Sequence, residues 1–346
     1  MSAEHAPRPS VSVVIPTYND AAHLGDALRS IVEQTLPPTE IVICDDGSED
    51  GTGELVRDFS AQRAGGVDVR YVRLPGRSGS ASARNRGVAE AQGEWIAVCD
   101  SDDMWAPGKL ERQLGFIGAW RGRRPLAVLG AHGWNVNEAG RIISLAPIGP
   151  TSEEEYERAR EEGSKVVMLH SSLIYPRAQF DAIGGYSSEY GTLDDVDFVC
   201  RMVFQGAVIC VPEPLVYYRK RGGSKQLADF WTQRMDARRL TANQYRRAHG
   251  EDPLTAEQFT ARLAAAPARE RLRRRRKILG LYNYRLGATD VVNGRRVRGV
   301  LRLALAAVLD GTRLRLGAQR ALRSRLPSLA GHGDTRRELP ADDVDA

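Results

Sequence analysis

Over the first hundred residues, short apolar runs rich in β-branched side chains alternate with segments of helical period, and polar turns separate the two. Val11 to Ile15 is such a run and ends at Pro16. Leu24, Leu28, Ile31 and Val32 then recur at helical spacing until Pro37 and Pro38 stop the segment. Glu40 to Cys44 reads as a second strand, Asp45-Asp46-Gly47-Ser48 as its turn, and Glu54 to Phe59 as a short helix. A third strand near Val67 to Val72, a helix from Ala81 to Ala91, a fourth strand from Trp95 to Cys99 and a helix opened by Pro107 continue the series. Strands alternating with helices imply an α/β fold with a mostly parallel central sheet, helices on both faces and right-handed crossovers. Ligands bind such sheets at the carboxyl ends of the strands. Farther on, Leu126 to Val136 and Arg141 to Leu145 read as a hairpin, and Ser152 to Glu162 as an exposed acidic helix. Val166 to Tyr175 is strand-like, and helices from Arg177 to Ile183 and Asp195 to Gln205 precede two strands, Ala207 to Val211 and Leu215 to Arg219. The last third reads as helical.

The expected division is a polar, disordered start over 1–9, a catalytic domain over 10–225, a basic helical region over 226–330 and a disordered tail over 331–346. No stretch approaches the roughly 20 apolar residues of a membrane-spanning helix. The first ten residues lack the basic-then-apolar layout of a secretory signal, so a cytoplasmic protein is expected. Cys44, Cys99, Cys200 and Cys210 stand far apart in mainly apolar surroundings, which points to buried, reduced thiols rather than a zinc site or disulfide framework. Charge is unevenly spread. Residues 261–330 carry eighteen Arg or Lys against Glu270, Asp290 and Asp310, although the whole chain is only +5, so the remainder is net acidic. The basic region should meet something anionic while the body does a separate task.

Three of the strand ends are polar: Pro16-Thr17-Tyr18-Asn19, Asp45-Asp46 and Asp100-Ser101-Asp102-Asp103. One such cluster is ordinary turn chemistry, but three in order converge on one crevice if the strands are neighbours. Residues two apart on an extended segment point the same way, so Asp100 and Asp102 can face one divalent cation, Mg²⁺ or Mn²⁺, that also bridges phosphate oxygens. The competing account is a solvated acidic turn in which Asp103 caps the following helix.

The blocks VSVVIPTYND (11–20), EIVICDDGSEDGT (40–52), SGSASARNRGVAEAQGEWIAVCDSDDMW (78–105) and GGYSSEYGTLDDVDFVCRM (184–202) resemble, in order and spacing, the family 2 glycosyltransferases of GT-A fold. The resemblance covers about residues 10 to 225. It implies an inverting enzyme that moves a sugar from a nucleotide-diphosphate donor, UDP-linked by preference, to an acceptor hydroxyl. Residue by residue, it places Pro16, Thr17 and Tyr18 beside the donor's base and Asp46 on base or ribose, with Asp45 as helper. Asp102 becomes the direct metal ligand and Asp100 a ribose or water-mediated partner. Arg84 would lie near the nucleotide, with a structural ion pair at the helix start as the equal alternative. Asp194-Asp195 matches the family's Glu-Asp pair, so Asp195 is the expected base with Asp194 supporting it and Asp197 as rival; helix capping is the plainer account of all three. Two departures stand out: Asp194 replaces the usual Glu, and Lys220-Arg221-Gly222-Gly223 stands where the family often has a His, so a late metal or phosphate contact is missing unless Lys220 or Arg221 supplies it. His170 lies where the family's acceptor side begins but reads better as a hydrogen-bonded core histidine. Trp105 and Trp134 read as core or pocket wall rather than sugar-stacking platforms.

The basic run 271–277 precedes apolar positions, and Val300 to Leu309 is an apolar helix carrying Arg302. Peripheral contact with an anionic membrane through 270–325, suited to a lipid-linked acceptor, stands level with a helical bundle that has a solvated basic face. Nucleic acid is not expected, for lack of a binding module or interleaved aromatics. A sugar-nucleotide pyrophosphorylase would need a glycine-rich basic loop after the first strand, where this chain has Pro-Thr-Tyr-Asn. A non-catalytic binder should have lost Asp100-Ser-Asp102 or the base, and both are present.

Overall fold

A computed structural model of the protein describes residues 8–61, 66–220, 230–292 and 295–310. The expected disordered segments, apart from residues 8 and 9, lie outside these residues, as do Arg221 and positions 311–325 of the basic region. The chain divides into two compact units, 1–253 and 254–346.

The first unit opens with the expected alternation: β1 (Val11–Thr17), α1 (Ala21–Val32), β2 (Glu40–Asp45), α2 (Thr52–Ala61), β3 (Asp68–Arg73), α3 (Ser80–Glu90) and β4 (Trp95–Val98). β1 lies parallel between β2 and β4, and β2 lies parallel to β3. Val13, Val14, Ile15, Ile41, Val42 and Ile43 are all fully buried, as a sheet covered on both faces requires. Helix α3 presses onto this sheet at Gly87, where a Cβ would come within 2.5 Å of Val14 Cγ1.

Beyond β4 the pattern changes. The next elements are β5 (Met104–Trp105), α4 (Lys109–Ala119), β6 (Leu126–Val136), β7 (Ile142–Ala146), α5 (Glu153–Glu161), β8 (Ile174–Pro176), α6 (Arg177–Ala182), α7 (Asp194–Met202) and β9 (Ala207–Arg219). The nine strands form one sheet in the order β3-β2-β1-β4-β8-β6-β9-β5, with β7 on β6. The mostly parallel sheet expected from sequence is therefore corrected to a mixed one: β8 is antiparallel to β4 and β6, β7 to β6, and β5 to β9. A parallel neighbour needs a long crossover, and the turn at 137–140 is too short for one. β6 and β9 are parallel because α5, α6 and α7 intervene.

Three further differences are local. Of the strand-like stretch 166–175 only 174 and 175 are strand, in a β8 that runs on to Pro176, and 170–172 makes a single 3-10 turn. The two strands expected at 207–219 are one, since Pro212 and Pro214 fall where the register slips rather than ending the pairing. The acidic helix α5 is not wholly exposed: Tyr156 anchors it, fully buried, its hydroxyl donating to the Val203 carbonyl at 2.9 Å.

The order also explains the position of the acidic turn. β4 and β5 are separated by three strands, a flat distance of about 19 Å at ordinary strand spacing, yet the five residues 99–103 join them and contain a turn closed by Asp103 N–H on the Asp100 carbonyl. The sheet must curl, and the turn bridges the mouth of the curl. Helix α8 (Phe230–Ala248) completes this unit: Leu240 packs with Tyr190 and Cys200, and Asn243 donates to the Tyr190 hydroxyl at 2.8 Å. The unit thus runs to Pro253, past residue 225. All four cysteines are buried free thiols. Burial pushes Cys44 up to about 11 and Cys200 up to about 12.

The second unit contains α9 (Ala256–Ala265), α10 (Ala268–Val292) and α11 (Arg296–Leu309). Thr255 and Gln258 form a reciprocal capping box on α9. α10 and α11 run antiparallel in close contact: a Cβ on Gly287 would meet the Gly299 carbonyl at 3.0 Å, and one on Gly280 the Ala306 carbonyl at 3.4 Å. Among the described residues no helix is long and apolar enough to cross a membrane.

Candidate active site

The parallel register places the polar ends of β1 and β2 side by side, Thr17 opposite Asp45. Asp46 N–H donates to the Thr17 carbonyl at 2.9 Å, joining the two turns. The Asp46 carboxylate accepts from the amides of Ser78 at 2.6 Å and Gly79 at 2.8 Å, so it holds the loop that leads into α3. Asp45 accepts from the Ser48 amide at 2.8 Å and from the Tyr71 hydroxyl. Asn19, in the left-handed region at φ 49°, donates its amide to Ser48 Oγ at 2.9 Å and accepts from the Glu49 amide at 2.8 Å. These bonds build a rigid rim. Within it, Pro16 and Tyr18 are half-buried, the Arg77 guanidinium lies 4.6 Å from the Tyr18 ring centre, and Thr17 is 3% exposed with no partner for its Oγ1 among the described residues. An unmatched buried hydroxyl costs free energy, and a ligand group reaching this rim would relieve it.

The acidic turn is organised by Ser171. Its hydroxyl accepts from the Asp100 amide at 3.0 Å and donates to Asp103, while its carbonyl accepts from Trp105 Nε1 at 2.8 Å. Trp105 is therefore core, as expected, and Trp134 is a half-buried strand residue in register with Leu145 and Tyr217. Asp103 does not act as a helix cap; it is buried and also accepts from the Arg219 amide at 2.9 Å. Arg219 Nε in turn donates to the Asp102 carbonyl at 2.9 Å. The backbone of the turn is clamped on both sides, and the Asp102 side chain stays partly exposed.

Arg84 joins this turn to α7. One guanidinium nitrogen donates to Asp194 at 2.6 Å and another to Asp100 at 3.0 Å, and Ser80 adds a hydroxyl to Asp194 at 2.9 Å. The side chain expected near the nucleotide is thus engaged by two carboxylates, in line with the ion-pair alternative. Asp194 is buried, and Asp195 is half-buried, its carboxylate accepting from the Val196 amide at 2.8 Å. Asp197 lies most of the way round the helix; Arg201 donates to it at 2.7 Å and Arg247 lies at 3.8 Å, so the rival base is bound on the far side. His170 is buried between Asp100 at 3.2 Å and the Tyr186 hydroxyl at 3.0 Å, matching the core reading. Asn85 pairs twice with the Tyr186 backbone, at 2.9 and 2.8 Å, fastening α3 to the turn at 184–186.

The electrostatics separate these carboxylates. Burial disfavours ionised Asp100, but His170 and Arg84 more than compensate and hold it well below the usual carboxylate range. Burial pushes Asp103 well up, reinforced by Asp102 and Asp100. Burial also raises Asp195, against the opposing pull of His170 and Arg84. Tyr218 is raised by burial and then by Asp103, Asp100, Asp102 and Asp195, so the acidic turn and Asp195 of α7 share one field beside that phenol. Lys220 lies with its amine 4.1 Å from the Tyr218 ring centre. Ser171, Tyr186, Tyr218 and Arg219 escaped sequence reasoning as site-builders because Ser, Tyr and Arg carry no signal until the chain folds; only the GGY and YYR triplets hinted at them.

These features define an α/β protein with a cluster of carboxylates at the mouth of a curled sheet. Residues 12–168 match the family described as Glycosyl transferase family 2. Over 112 residues the chain is 39% identical to the putative teichuronic acid biosynthesis glycosyltransferase TuaG of Bacillus subtilis, covering 32% of this chain and 42% of that protein. It is 26% identical over 235 residues to the amylovoran biosynthesis glycosyltransferase AmsB of Erwinia amylovora, covering 65% and 77%. It is 36% identical over 107 residues to the Escherichia coli UDP-Glc:alpha-D-GlcNAc-diphosphoundecaprenol beta-1,3-glucosyltransferase WfgD, of which it spans 40%. The fold is similar to that of S. aureus TarS 1-349 in complex with UDP-GlcNAc, with a TM-score of 0.54 at 19% identity over 88% of this chain and 92% of that one. The matched region, residues 12–168, is that of the family 2 glycosyltransferases, and the fold is GT-A-like.

Proposed function

We propose that this chain is an inverting glycosyltransferase that moves a sugar from a nucleotide-diphosphate donor to an acceptor hydroxyl. The observation that carries this reading is Asp195: a half-buried carboxylate raised by burial, next to the ion-paired Asp194 and sharing one field with the acidic turn. In this reading the donor's base enters the rim of Pro16, Thr17, Tyr18 and Asp46, and Thr17 Oγ1 gains its missing partner. Asp100, kept ionised by Arg84 and His170, faces the ribose. Asp195 accepts the acceptor's hydroxyl proton as that oxygen bonds to the anomeric carbon and the bond to the diphosphate breaks, which inverts the centre.

The residues at the turn suit a divalent cation. No group of three or more His, Cys, Asp or Glu that could hold a metal ion occurs among the described residues. Mg²⁺ and Mn²⁺ sites of this kind, however, use one or two carboxylates and complete their shell with phosphate oxygens and water. Asp103 is raised first by burial and then by the crowding of Asp102 and Asp100, and a cation would relieve that crowding. Asp102 would hold it, and when bound it would offset charge on the departing diphosphate. Lys220 would add positive charge to the same phosphates.

WfgD's name supplies a UDP-sugar and a lipid-diphosphate acceptor for that protein, and both extend here as proposals. A cytoplasmic setting fits the four reduced thiols. The test is calorimetric binding of a nucleotide-sugar panel, with and without Mn²⁺, followed by slow hydrolysis of any hit. UDP-sugar binding that needs metal and is lost in Asp102→Ala, with hydrolysis alone lost in Asp195→Asn, supports every assignment. A folded chain that binds no nucleotide-sugar under either condition refutes the reading.

A further inference from the structure

Helix α11 presents two unlike faces. Gly299, Leu303 and Ala306 meet α10, while Val297, Val300, Leu301, Leu305 and Val308 form a continuous stripe on the opposite side at helical spacing. These five are 78%, 60%, 66%, 47% and 72% exposed. Single exposed apolar residues are ordinary, but an aligned set marks a contact surface.

The surrounding charge says what the surface meets. Residues 254–310 carry thirteen Arg or Lys and four Asp or Glu. Asp290 takes three of the arginines, Arg295, Arg298 and Arg302, into one cluster. On α10, Arg271, Arg273, Arg275 and Arg276 are exposed, and Arg276 reaches the Val308 carbonyl at 3.3 Å, at one end of the stripe. Arg296 is exposed at the other end. A second copy would bring arginine against arginine. Residues 311–325 would do the same, since they add five arginines and no acid. An apolar stripe edged by cations fits a surface that is apolar inside and anionic outside.

We propose that α11, with the arginines of α10, docks in the plane of an anionic lipid bilayer, its stripe at the headgroup boundary and its guanidinium groups on lipid phosphates. Neither helix spans the bilayer. The inference is independent of the transfer chemistry.

The test is co-sedimentation of the full chain with vesicles of mixed phosphatidylglycerol and phosphatidylcholine, and with vesicles of phosphatidylcholine alone. Binding is expected to the anionic vesicles only and to weaken as salt rises. The double variant L301E/L305E should weaken it by about tenfold or more, two leucines being a large share of the buried apolar area. Both positions are exposed, so an unchanged melting temperature confirms that the fold survives. A second variant, R271E/R273E/R275E, should lose binding while leaving the stripe intact. Failure of the intact chain to bind anionic vesicles overturns the proposal, as does binding that ignores both variants. So does a dimer, by light scattering, that L301E/L305E converts to monomer, which would make a second copy the occupant. Binding that emerges only when 311–346 is removed would make that segment the occupant instead.

Discussion

The mouth of the sheet and the α10–α11 pair both depend on arginine and aspartate, with opposite arithmetic. At the mouth one guanidinium, Arg84, serves two carboxylates, Asp100 and Asp194, and is 7% exposed. In the helical pair one carboxylate, Asp290, serves three guanidinium groups, of which Arg295 and Arg298 are largely exposed. Buried, a matched pair fixes geometry, because leaving either partner alone in a low dielectric is costly. Exposed, the same contacts are weak and screened, and what persists is the net charge. The first arrangement therefore fixes side-chain geometry, and the second leaves a net positive charge at the surface.

The contrast can be broken at several points. The largest effect belongs to Asp195→Asn, which should lower turnover by about a thousandfold, within the range of a lost general base, while nucleotide-sugar binding is retained. Single-turnover kinetics beside calorimetry checks this, and a variant that keeps its rate would remove Asp195 from the chemistry. Next, Arg84→Met strands the buried Asp194 and should destabilise the first unit by about 3–5 kcal/mol. Arg84→Lys, which keeps charge but not the fork, should recover only part of that loss in denaturant unfolding. An unchanged midpoint in Arg84→Met would mean that the two carboxylates are held by something else.

A smaller effect concerns pH. Asp195 must be ionised to accept a proton, and burial raises it, so the rate should fall on acidification beginning above the usual carboxylate range. Asp100 is held low, so its stabilising ion pairs persist well below that point and are lost only as pH falls through its depressed value. The acid limb of the rate should therefore precede acid unfolding, and coincident curves would contradict the separate roles. Gly185, at φ 74° with a hypothetical Cβ 2.6 Å from Asn85 Oδ1, should cost about 1–3 kcal/mol as Gly185→Ala. Gly184→Ala has the same backbone sign and open space, and should cost less by thermal melting. Smallest of all, Arg298→Ala should change stability by less than about 1 kcal/mol, since two other arginines keep Asp290 company.

The sequence by itself determined the strands and helices of the first hundred residues, because β1, β2 and β4, covered on both faces, require apolar runs and the turns require small polar residues. The pairing of Thr17 with Asp45 follows from it once β1 and β2 are neighbours. Four blocks also carried the resemblance to the family 2 glycosyltransferases, and that resemblance proposed roles for Asp102 and Asp195. Only the tertiary structure decided the mixed sense of the sheet, since β6, β7 and β8 are chosen by loop length and by which edge is open. It also decided that Arg84 ties Asp100 to a residue 110 positions from Arg84 itself, and that Ser171 and Arg219 clamp the acidic turn. Local pattern reports the periodicity of one segment. A carboxylate's role depends on which distant cation or hydroxyl reaches it in a low dielectric, and that is settled when the chain closes.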